Sequence, residues 1–315
     1  MKRLYFFEPF IAVNFLLIQA LLWHITRTPL RSFFKDFAVL VPAFLVQALV
    51  GIAVRAAIQR RAYGIAIRSK AWLADTARLI LFSVLSVQTY CWIKLAVPLL
   101  HHGLFDEQLR DISRALFFGH SPNILLIDLF ANPVAMRAVD WSYANVFIAS
   151  INIASVYFIS DPDRRIRVGF MNSNTLMWIT GAWLYVLVPS LGPAYVFPRF
   201  YLSLAPHLPE TQELQRILMY NYQNVLHNGP VNLFYGIAAF PSLHVAFEFL
   251  VWLWLRRVWR PGAIAFAIFT VVIFIGSIVT GWHYLIDSLA GLALAAISYL
   301  TVRAGFSLLR LRSPV

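Results

Sequence analysis

Eight long apolar runs constrain the fold of this chain more than any other feature of its sequence. They cover roughly residues 10–25, 36–58, 76–99, 142–160, 172–190, 238–256, 262–281 and 283–303. A helix of about 17–25 apolar residues crosses the hydrocarbon core of a bilayer. Only 13% of the 315 residues are charged, whereas a soluble domain usually has about 25%. We therefore predict an all-α, polytopic membrane helical bundle with about eight transmembrane helices.

The composition also excludes several other classes of protein. Apolar residues make up 60% of the chain, which excludes a disordered protein, and the single cysteine, Cys91, excludes a disulfide scaffold. The formal net charge of +12 would suit a nucleic-acid-binding protein. However, the basic residues form short clusters between the apolar runs, which is typical of membrane topology. We expect a membrane lipid as the partner and no nucleic acid, and the sequence leaves the oligomeric state open.

The distribution of Lys and Arg predicts the orientation of the bundle. If all eight runs cross the membrane, sixteen basic residues lie in dense clusters on the side that carries both termini, including Lys2, Arg3, Arg310 and Arg312, and eight lie in longer connections on the other side. Basic clusters favour the cytoplasm. We therefore expect a plasma (inner) membrane protein with both termini in the cytoplasm. No cleavage site follows the first run, so we interpret that run as a retained anchor and not as a signal peptide.

Two long connections, about 100–140 and 191–237, would lie on the outer side of the membrane. Both contain apolar residues at helical spacing, such as Leu109 and Leu116 in the first and Leu214 and Leu218 in the second. This pattern predicts helices in the membrane interface. Such helices either cover the bundle or guide a lipid substrate, and the sequence does not decide between these roles.

Two segments that contain histidine begin apolar runs on the outer side. They are Phe240-Pro241-Ser242-Leu243-His244 and Gly281-Trp282-His283-Tyr284-Leu285-Ile286-Asp287. His283 and Asp287 are four residues apart, which places them on one face of a helix. A carboxylate there can accept a hydrogen bond from one imidazole nitrogen and leave the other directed at a reacting atom. Two histidines and one carboxylate at the same depth suit phosphoryl transfer, with one His as nucleophile and the other as acid.

The same spacing also allows other interpretations. Both segments lie near predicted helix N-termini, where backbone N–H groups favour an anion, and Pro241 suits the first turn of a helix. The His-x3-Asp pair could equally form a structural hydrogen bond or half of a metal site. A zinc site needs a third close ligand, and the other histidines are scattered along the chain without ligand spacing. We therefore predict no metal and no cofactor.

The segment Phe-Pro-Ser-Leu-His, followed about forty residues later by His-Tyr-x-x-Asp, resembles the type 2 phosphatidic acid phosphatase superfamily. In particular it is similar to the branch of inositol phosphorylceramide synthases and related lipid phosphotransferases. The resemblance implies a six-helix core over 76–303, two additional N-terminal transmembrane helices within 1–75, and a cytoplasmic tail at 304–315. Residues 112–122 resemble a segment that is common ahead of the core in that branch.

The resemblance also implies roles for individual residues. His283 would be the nucleophile, Asp287 the carboxylate that orients it, and His244 the acid for the leaving group. The chain departs from the family pattern, because it has no Lys-x6-Arg-Pro and has Gly276-Ser277 where Ser-Arg would stand. With those family residues missing, we assign Arg199 and Ser242 to binding the phosphate. We assign Glu248 to the acceptor.

Glu248 lies one turn along from His244. It would either tune His244 or bind an acceptor hydroxyl, or it would simply pair with another buried polar group. The departures from the family pattern also leave a weaker phosphate cage. Such a cage favours a diester or pyrophosphate substrate over a free monoester.

The resemblance implies a lipid phosphotransferase that moves a phosphoryl-linked headgroup through a phosphohistidine at the extracytoplasmic face. A lipid-phosphate or polyprenyl-(pyro)phosphate phosphatase would use the same three residues, with water as the acceptor. A third interpretation, from a different class, is a transporter whose His and Asp line a polar path. Transport predicts ionisable residues through the whole depth of the bundle. The candidate His and Asp residues here lie instead near one face of the membrane.

Overall fold

The computed structural model describes residues 7–27, 31–67, 69–229 and 234–308. Every regular element in these ranges is helical, which confirms the predicted all-α fold. In chain order the helices are α1 Phe7–Thr26, α2 Arg31–Ile67, α3 Lys70–Leu100, α4 Asp106–Leu116, α5 Pro122–Leu129, α6 Pro133–Ser160, α7 Arg164–Leu187, α8 Pro193–Val196, α9 Pro198–Leu204, α10 Pro209–Asn228, α11 Leu243–Leu255, α12 Arg260–Val279 and α13 Leu285–Leu308, with a short 3₁₀ turn at Ala205–His207.

Each of the eight apolar runs overlaps one helix, and six of these helices, within the described ranges, are long and apolar enough to cross a membrane: α1, α2, α3, α6, α12 and α13. The protein is therefore a multi-pass membrane protein. Helix α7 is less apolar because it contains a polar stretch, residues 172–175, and α11 has only 13 residues. Both helices are largely buried by their neighbours, so neither needs the apolar surface of a helix that faces lipid. The count of eight spans stays a prediction.

Several of the predicted boundaries were wrong. Helix α3 begins at Lys70 and not at 76, and α11 begins at Leu243 and not at 238. Helix α6 begins at Pro133 and not at 142, because Asn132 caps it by accepting hydrogen bonds from the N–H groups of Val134 and Ala135. Helix α7 begins at Arg164 and not at 172, after the capping residue Asp163. Helix α13 begins at Leu285 and not at 283. His283 therefore precedes the helix in which it was predicted to lie.

Helix α7 lies at the centre of the bundle. It packs against α3, α11 and α13, and α11 packs in turn against α12 and α13. Some polar groups in this apolar interior are paired across helices, as when the indole N–H of Trp254 in α11 donates to Ser173 Oγ in α7 at 2.8 Å. Such pairing is needed because an unsatisfied polar group in a dry interior costs several kcal/mol.

Helix α1 packs directly on the helices that follow it. Its Glu8 pairs with Arg78 of α3 at 2.5 Å. Its Asn14 accepts a hydrogen bond from the indole of Trp183 in α7 at 2.7 Å. A division of the chain near residue 75 stays a prediction, because this packing continues across it.

Helix α2 runs along α6. A Cβ on Gly51 would lie 2.4 Å from the carbonyl oxygen of Val156, so the two backbones approach as closely as a glycine allows. Arg55 of α2 pairs with Asp161, which follows α6, at 2.8 Å. Arg55 also donates to Ser160 Oγ and to the carbonyl oxygen of Tyr157.

Some of the predicted features lie outside the described residues. Lys2 and Arg3 precede the first described residue, and Arg310 and Arg312, with most of the predicted tail, follow the last one. The orientation of the bundle therefore stays a prediction.

We expect Arg55→Ala to lower the free energy of unfolding by about 3 kcal/mol, because removing one partner leaves a buried charge uncompensated. The side chains of Arg55 and Asp161 are only 12% and 6% exposed. Burial raises the pKa of Asp161, and Arg55 opposes that rise. The melting temperature in detergent measures the effect.

The matched control is Arg165→Ala. Arg165 and Asp163 are 44% and 33% exposed and lie 3.4 Å apart, and an exposed pair contributes at most about 1 kcal/mol. Equal melting temperatures for the two variants would contradict the assignment of Arg55 as the cross-link between α2 and α6.

Candidate active site

His283 lies in the short loop between α12 and α13, and its backbone is fixed from both sides. Its N–H donates to the carbonyl oxygen of Ser277 at 3.0 Å. Its carbonyl oxygen accepts a hydrogen bond from the side-chain amide of Asn123 in α5 at 3.1 Å. The imidazole is buried, with 4% of the side chain exposed. These two bonds fix the backbone of the loop from which the imidazole projects.

The carboxylate of Asp287 lies next to the imidazole of His283, although only Asp287 belongs to a helix. Its Oδ2 lies 3.5 Å from His283 Nδ1 and accepts a hydrogen bond from the N–H of Tyr284 at 2.9 Å. This second bond resembles the return arm of a capping box, because Asp287 is the third residue of α13. A distance of 3.5 Å is long for a hydrogen bond, and catalytic hydrogen bonds often shorten when substrate binds.

His244 is the second residue of α11 and faces His283. The centroids of the two imidazole rings are 6.1 Å apart. The hydroxyl of Tyr143 in α6 lies 3.4 Å from His244 Nδ1, and the ring of Phe147 packs edge-on against the imidazole at 4.1 Å. The structure therefore brings together the three residues predicted to be catalytic, and it adds Tyr143 as a neighbour of His244.

A cavity of about 170 Å³ lies between the two histidines, and we call it the phosphate cavity. The described residues that line it are Lys94, Tyr143, Leu191, Leu214, Leu218, Phe234, Tyr235, Gly236, Ile237, Ala238, His244, Trp282 and His283. Lys94 of α3 is the one Lys or Arg in this set, and the set contains no Asp or Glu. The positive charge of Lys94 therefore makes this cavity suitable for binding an anion.

Lys94 was not assigned a role from the sequence. It lies deep within an apolar run, and nothing in that run shows which other helix it faces. In the structure its Nζ lies 6.0 Å from the ring centroid of Tyr90 and 5.8 Å from that of Tyr185. Helical spacing from Tyr90 places Lys94 one turn along α3, but only tertiary packing brings it to the histidines.

Arg199 is not brought to this cavity. It lies on the exposed side of α9 and is not among the residues that line the cavity, whereas Tyr201 is the buried residue of that helix. The N–H of Ala194 in α8 bonds to the carbonyl oxygen of Gly281 at 3.0 Å. This backbone hydrogen bond joins α8, and not α9, to the loop that contains His283.

Ser242 connects the two histidine segments through its backbone. Its N–H donates to the carbonyl oxygen of Asp287 at 2.8 Å. Its hydroxyl is buried, has no hydrogen-bond partner among the described residues, and does not line the phosphate cavity. Pro241 precedes α11 instead of lying in its first turn, because the helix begins after Ser242.

Glu248 is fully buried one turn along α11 from His244. Its Oε1 accepts a hydrogen bond from Ser150 Oγ in α6. It does not line the phosphate cavity. The structure thus shows the pairing with a buried polar group that the sequence allowed as the alternative to a role in the reaction.

The two helix N-termini at the site differ in what they offer an anion. At α13, Asp287 already accepts from the N–H of Tyr284, and Ser113 Oγ of α4 accepts from the N–H of Ile286 at 3.1 Å. At α11 the first helical bond runs from the N–H of Ala246 to the carbonyl oxygen of Ser242. The N–H groups that precede it point out of the helix end, so α11 is the better anion-binding end.

Asp106, the first residue of α4, holds the surrounding loops. Its carboxylate accepts hydrogen bonds from the N–H groups of Leu191 and Gly192, at 3.0 and 2.8 Å, and from the hydroxyl of Tyr284 at 3.3 Å. Burial raises the pKa of Asp106, and the two backbone donors oppose that rise. Gly192 has φ +97°, and a Cβ there would lie 2.4 Å from the carbonyl oxygen of Trp282.

Comparison with models of protein families gives one result that bears on this site. The model of the PAP2 superfamily, the type 2 phosphatidic acid phosphatases, matches residues 107–301. The chain belongs to the PAP2 superfamily. It is therefore an enzyme of the phosphatase or phosphotransferase type that acts on phosphate esters of lipids. Comparison with curated proteins and with solved structures found no match.

The matched region of the PAP2 superfamily includes both histidine segments but begins inside α4. Helices α1, α2 and α3 lie outside it, and so does Lys94. Among the described residues, no group of three or more His, Cys, Asp or Glu is placed to hold a metal ion.

We expect Gly291→Ala to reduce kcat/KM about 100-fold, because a shift of about 1 Å in a catalytic group can cost that much. A Cβ on Gly291 of α13 would lie 2.2 Å from the carbonyl oxygen of Ser242, so α11 and His244 must move away from His283. Hydrolysis or transfer of a lipid phosphate ester measures the loss.

Gly305→Ala is the matched control in the same helix, because a Cβ there meets no atom within 4 Å. Its turnover should equal that of the parent protein. A Gly291→Ala protein as active as the control would show that the spacing of α11 and α13 does not set the distance between the histidines.

Proposed function

We propose that this protein is a lipid phosphotransferase that works through a covalent phosphohistidine on His283. The observation that carries the proposal is that His283 and His244 face one cavity with their ring centroids 6.1 Å apart, while Asp287 lies behind His283. Nucleophile, orienting carboxylate and acid are the three groups that this chemistry needs.

In the first step, His283 attacks the phosphorus atom of the donor lipid. Its Nδ1 faces Asp287, so the lone pair of Nε2 forms the new P–N bond. The bond between phosphorus and the leaving oxygen breaks, and His244 donates a proton to that oxygen. The Tyr143 hydroxyl, 3.4 Å from His244 Nδ1, helps to orient the imidazole.

In the second step, an acceptor hydroxyl takes the place of the leaving group. His244, now neutral, removes the proton of this hydroxyl as its oxygen attacks phosphorus. The P–N bond breaks and returns its electron pair to His283. The enzyme is then in its starting state, and the phosphoryl-linked group has moved to the acceptor.

Lys94 is our candidate for the cation that holds the phosphate. It lines the cavity between the histidines, whereas Arg199 is exposed on α9. A charged donor in a site that excludes water interacts more strongly with the growing charge on the phosphate oxygens than it would in water. One cation in place of the Lys and Arg of the usual family pattern also suits a diester or pyrophosphate.

The apolar residues that line the site favour transfer to an alcohol over hydrolysis by water. Leu214 and Leu218 of α10 and Leu191 line the phosphate cavity, and these apolar side chains oppose the entry of water. The resemblance to the inositol phosphorylceramide synthase branch supports the same choice. The alternative is a lipid-phosphate or polyprenyl-(pyro)phosphate phosphatase that uses the same three residues.

The location of the reaction is also part of the proposal. The basic clusters of the sequence favour cytoplasmic termini in a plasma (inner) membrane protein, which puts the histidines at the extracytoplasmic face. Because the chain belongs to a superfamily of phosphatases and phosphotransferases, we do not propose the transport function that the sequence also allowed.

The mechanism predicts that His283→Ala abolishes turnover and that His244→Ala lowers it about 10²–10⁴-fold, the usual contribution of a general acid. The measurement uses a lipid extract with labelled phosphate and a rapid quench. Label should remain on the parent protein as an acid-labile adduct and should not appear on the His283→Ala protein. Turnover like that of the parent in either variant would refute the mechanism.

The same experiment separates transfer from hydrolysis. Label on a new lipid supports the phosphotransferase, whereas label released as inorganic phosphate supports the phosphatase alternative.

We expect Lys94→Met to lower kcat/KM about 10–100-fold, because a hydrogen bond to a charged group contributes about 1.5–3 kcal/mol. Arg199→Ala, at an exposed position, should leave kcat/KM within about twofold of the parent value. If Arg199→Ala causes the larger loss, the sequence-based assignment of Arg199 is correct and that of Lys94 is wrong.

A further inference from the structure

A second and larger cavity, of about 440 Å³, adjoins the phosphate cavity. The two share Lys94, Phe234 and His244, whereas His283 lines only the smaller one. We call the larger one the chain cavity. It lies among α2, α3, α6, α7 and α11, and its wall is mostly apolar, with Phe44, Tyr90, Phe147, Phe158, Phe170, Trp178 and Phe247 among its aromatic residues.

The chain cavity is elongated along α3. On α3 its wall extends from Leu79 to Lys94, which is roughly 22 Å at 1.5 Å per residue. At the end away from the histidines, Phe158 and Phe170 stack with their ring centroids 3.7 Å apart. Arg167 also lines the cavity at this end, and its guanidinium lies 4.6 Å from the ring centroid of Trp72. The cavity thus extends from the catalytic histidine through more than half of a bilayer core.

The chain cavity reaches the surface of the bundle at α2 and α6, because Ala43 of α2 and Asn152 of α6 both line it and are both exposed. Hydrogen bonds join α2 to α6 at Gln47 and at Arg55, and Ala43 lies one helical turn before Gln47 in the sequence. We infer that the cavity opens toward the bilayer at Ala43. A hydrogen bond of 2.8 Å from the side-chain amide of Gln47 to Asn152 Oδ1 bounds this opening on the side away from the histidines. In a membrane this opening would face lipid.

We propose that the chain cavity binds a hydrocarbon chain of the lipid alcohol whose oxygen is bonded to the reacting phosphorus. The phosphate would sit between the histidines, and the chain would enter from the bilayer between α2 and α6. This inference rests on the proposed function. A chain fits because the wall is apolar, and burial of each methylene contributes about 0.8 kcal/mol.

We assign the cavity to the chain on the leaving side of phosphorus because His244, and not His283, lines both cavities. In the mechanism above, the leaving oxygen is the atom next to His244, and His244 is the histidine common to both cavities. The group attached to that oxygen therefore continues into the chain cavity. It follows that the bond broken lies on the lipid side of phosphorus, and that the acceptor hydroxyl of the second step reaches phosphorus at the same place beside His244.

The test compares two phosphodiester substrates that differ only in chain length, dihexanoyl and dipalmitoyl phosphatidylinositol. Ala43→Trp places an indole in the lateral opening, and Ser86→Leu fills the middle of the cavity, where Ser86 is part of the wall. The control is Val46→Trp, at a residue of α2 that is 59% exposed and does not line the cavity.

We expect Ala43→Trp and Ser86→Leu to lower kcat/KM for the dipalmitoyl substrate at least about tenfold, which corresponds to lost burial of roughly two methylenes. Turnover of the dihexanoyl substrate should change less than about twofold, because its short chains make little use of the cavity. Val46→Trp should affect neither substrate. Equal losses for the two substrates in Ala43→Trp and Ser86→Leu would overturn the inference.

A second measurement does not depend on turnover. Phosphatidylinositol with a diazirine at the end of one chain is photolysed with the His283→Ala protein, and the labelled residues are mapped by mass spectrometry. Label on the chain-cavity residues of α3 and α7 supports the inference even if the phosphohistidine mechanism fails. Label confined to the outer surface of the bundle overturns it. Label in the cavity without a chain-length effect indicates a structural lipid and also overturns it.

Discussion

The hydrogen bond from the N–H of Ser242 to the carbonyl oxygen of Asp287 is the interaction on which the site depends. It joins the start of α11, which carries His244, to the start of α13, which carries Asp287 and follows His283. Gly291 lets the two helices approach closely enough for the bond to form, since a Cβ there would clash with the carbonyl oxygen of Ser242. Two segments that are distant in the sequence thereby become one rigid unit.

The helices outside the bundle reinforce this unit. Asn123 of α5 holds the carbonyl of His283, Ser113 of α4 accepts from the N–H of Ile286, and Asp106 of α4 binds both the loop at 191–192 and Tyr284. The first long connection therefore does more than cover the bundle. Catalytic groups need this kind of support, because an imidazole that moves by about 1 Å loses much of its effect.

The sequence predicted most of the fold and the centre of the site. Apolar length identified the helices, and the two histidine segments identified the residues that meet at the cavity. The start of α13 was wrong by two residues, because apolar character continues through the loop that holds His283. The helix start was set instead by the hydrogen bond between Tyr284 and Asp287.

Lys94 and Tyr143 could not be predicted, for a different physical reason. Each lies within a run of apolar residues, and hydrophobic periodicity tells which face of a helix is buried but not which helix covers it. Arg199 was chosen because it follows a predicted span in the sequence, yet α8 and α9 turn it to the surface. Neighbours in a bundle are decided by packing between segments far apart in the chain.

Helix α3 and helix α2 supply Lys94 and much of the chain-cavity wall, while both histidine segments lie within the region that matches the superfamily. In the proposed mechanism, both reacting histidines therefore come from the matched region, whereas α2 and α3 add Lys94 and part of the chain-cavity wall from outside that region. Mutations in the first hundred residues can then alter which lipids enter without disturbing the reacting imidazoles. Such a separation lets new substrate preferences evolve while the underlying reaction is conserved.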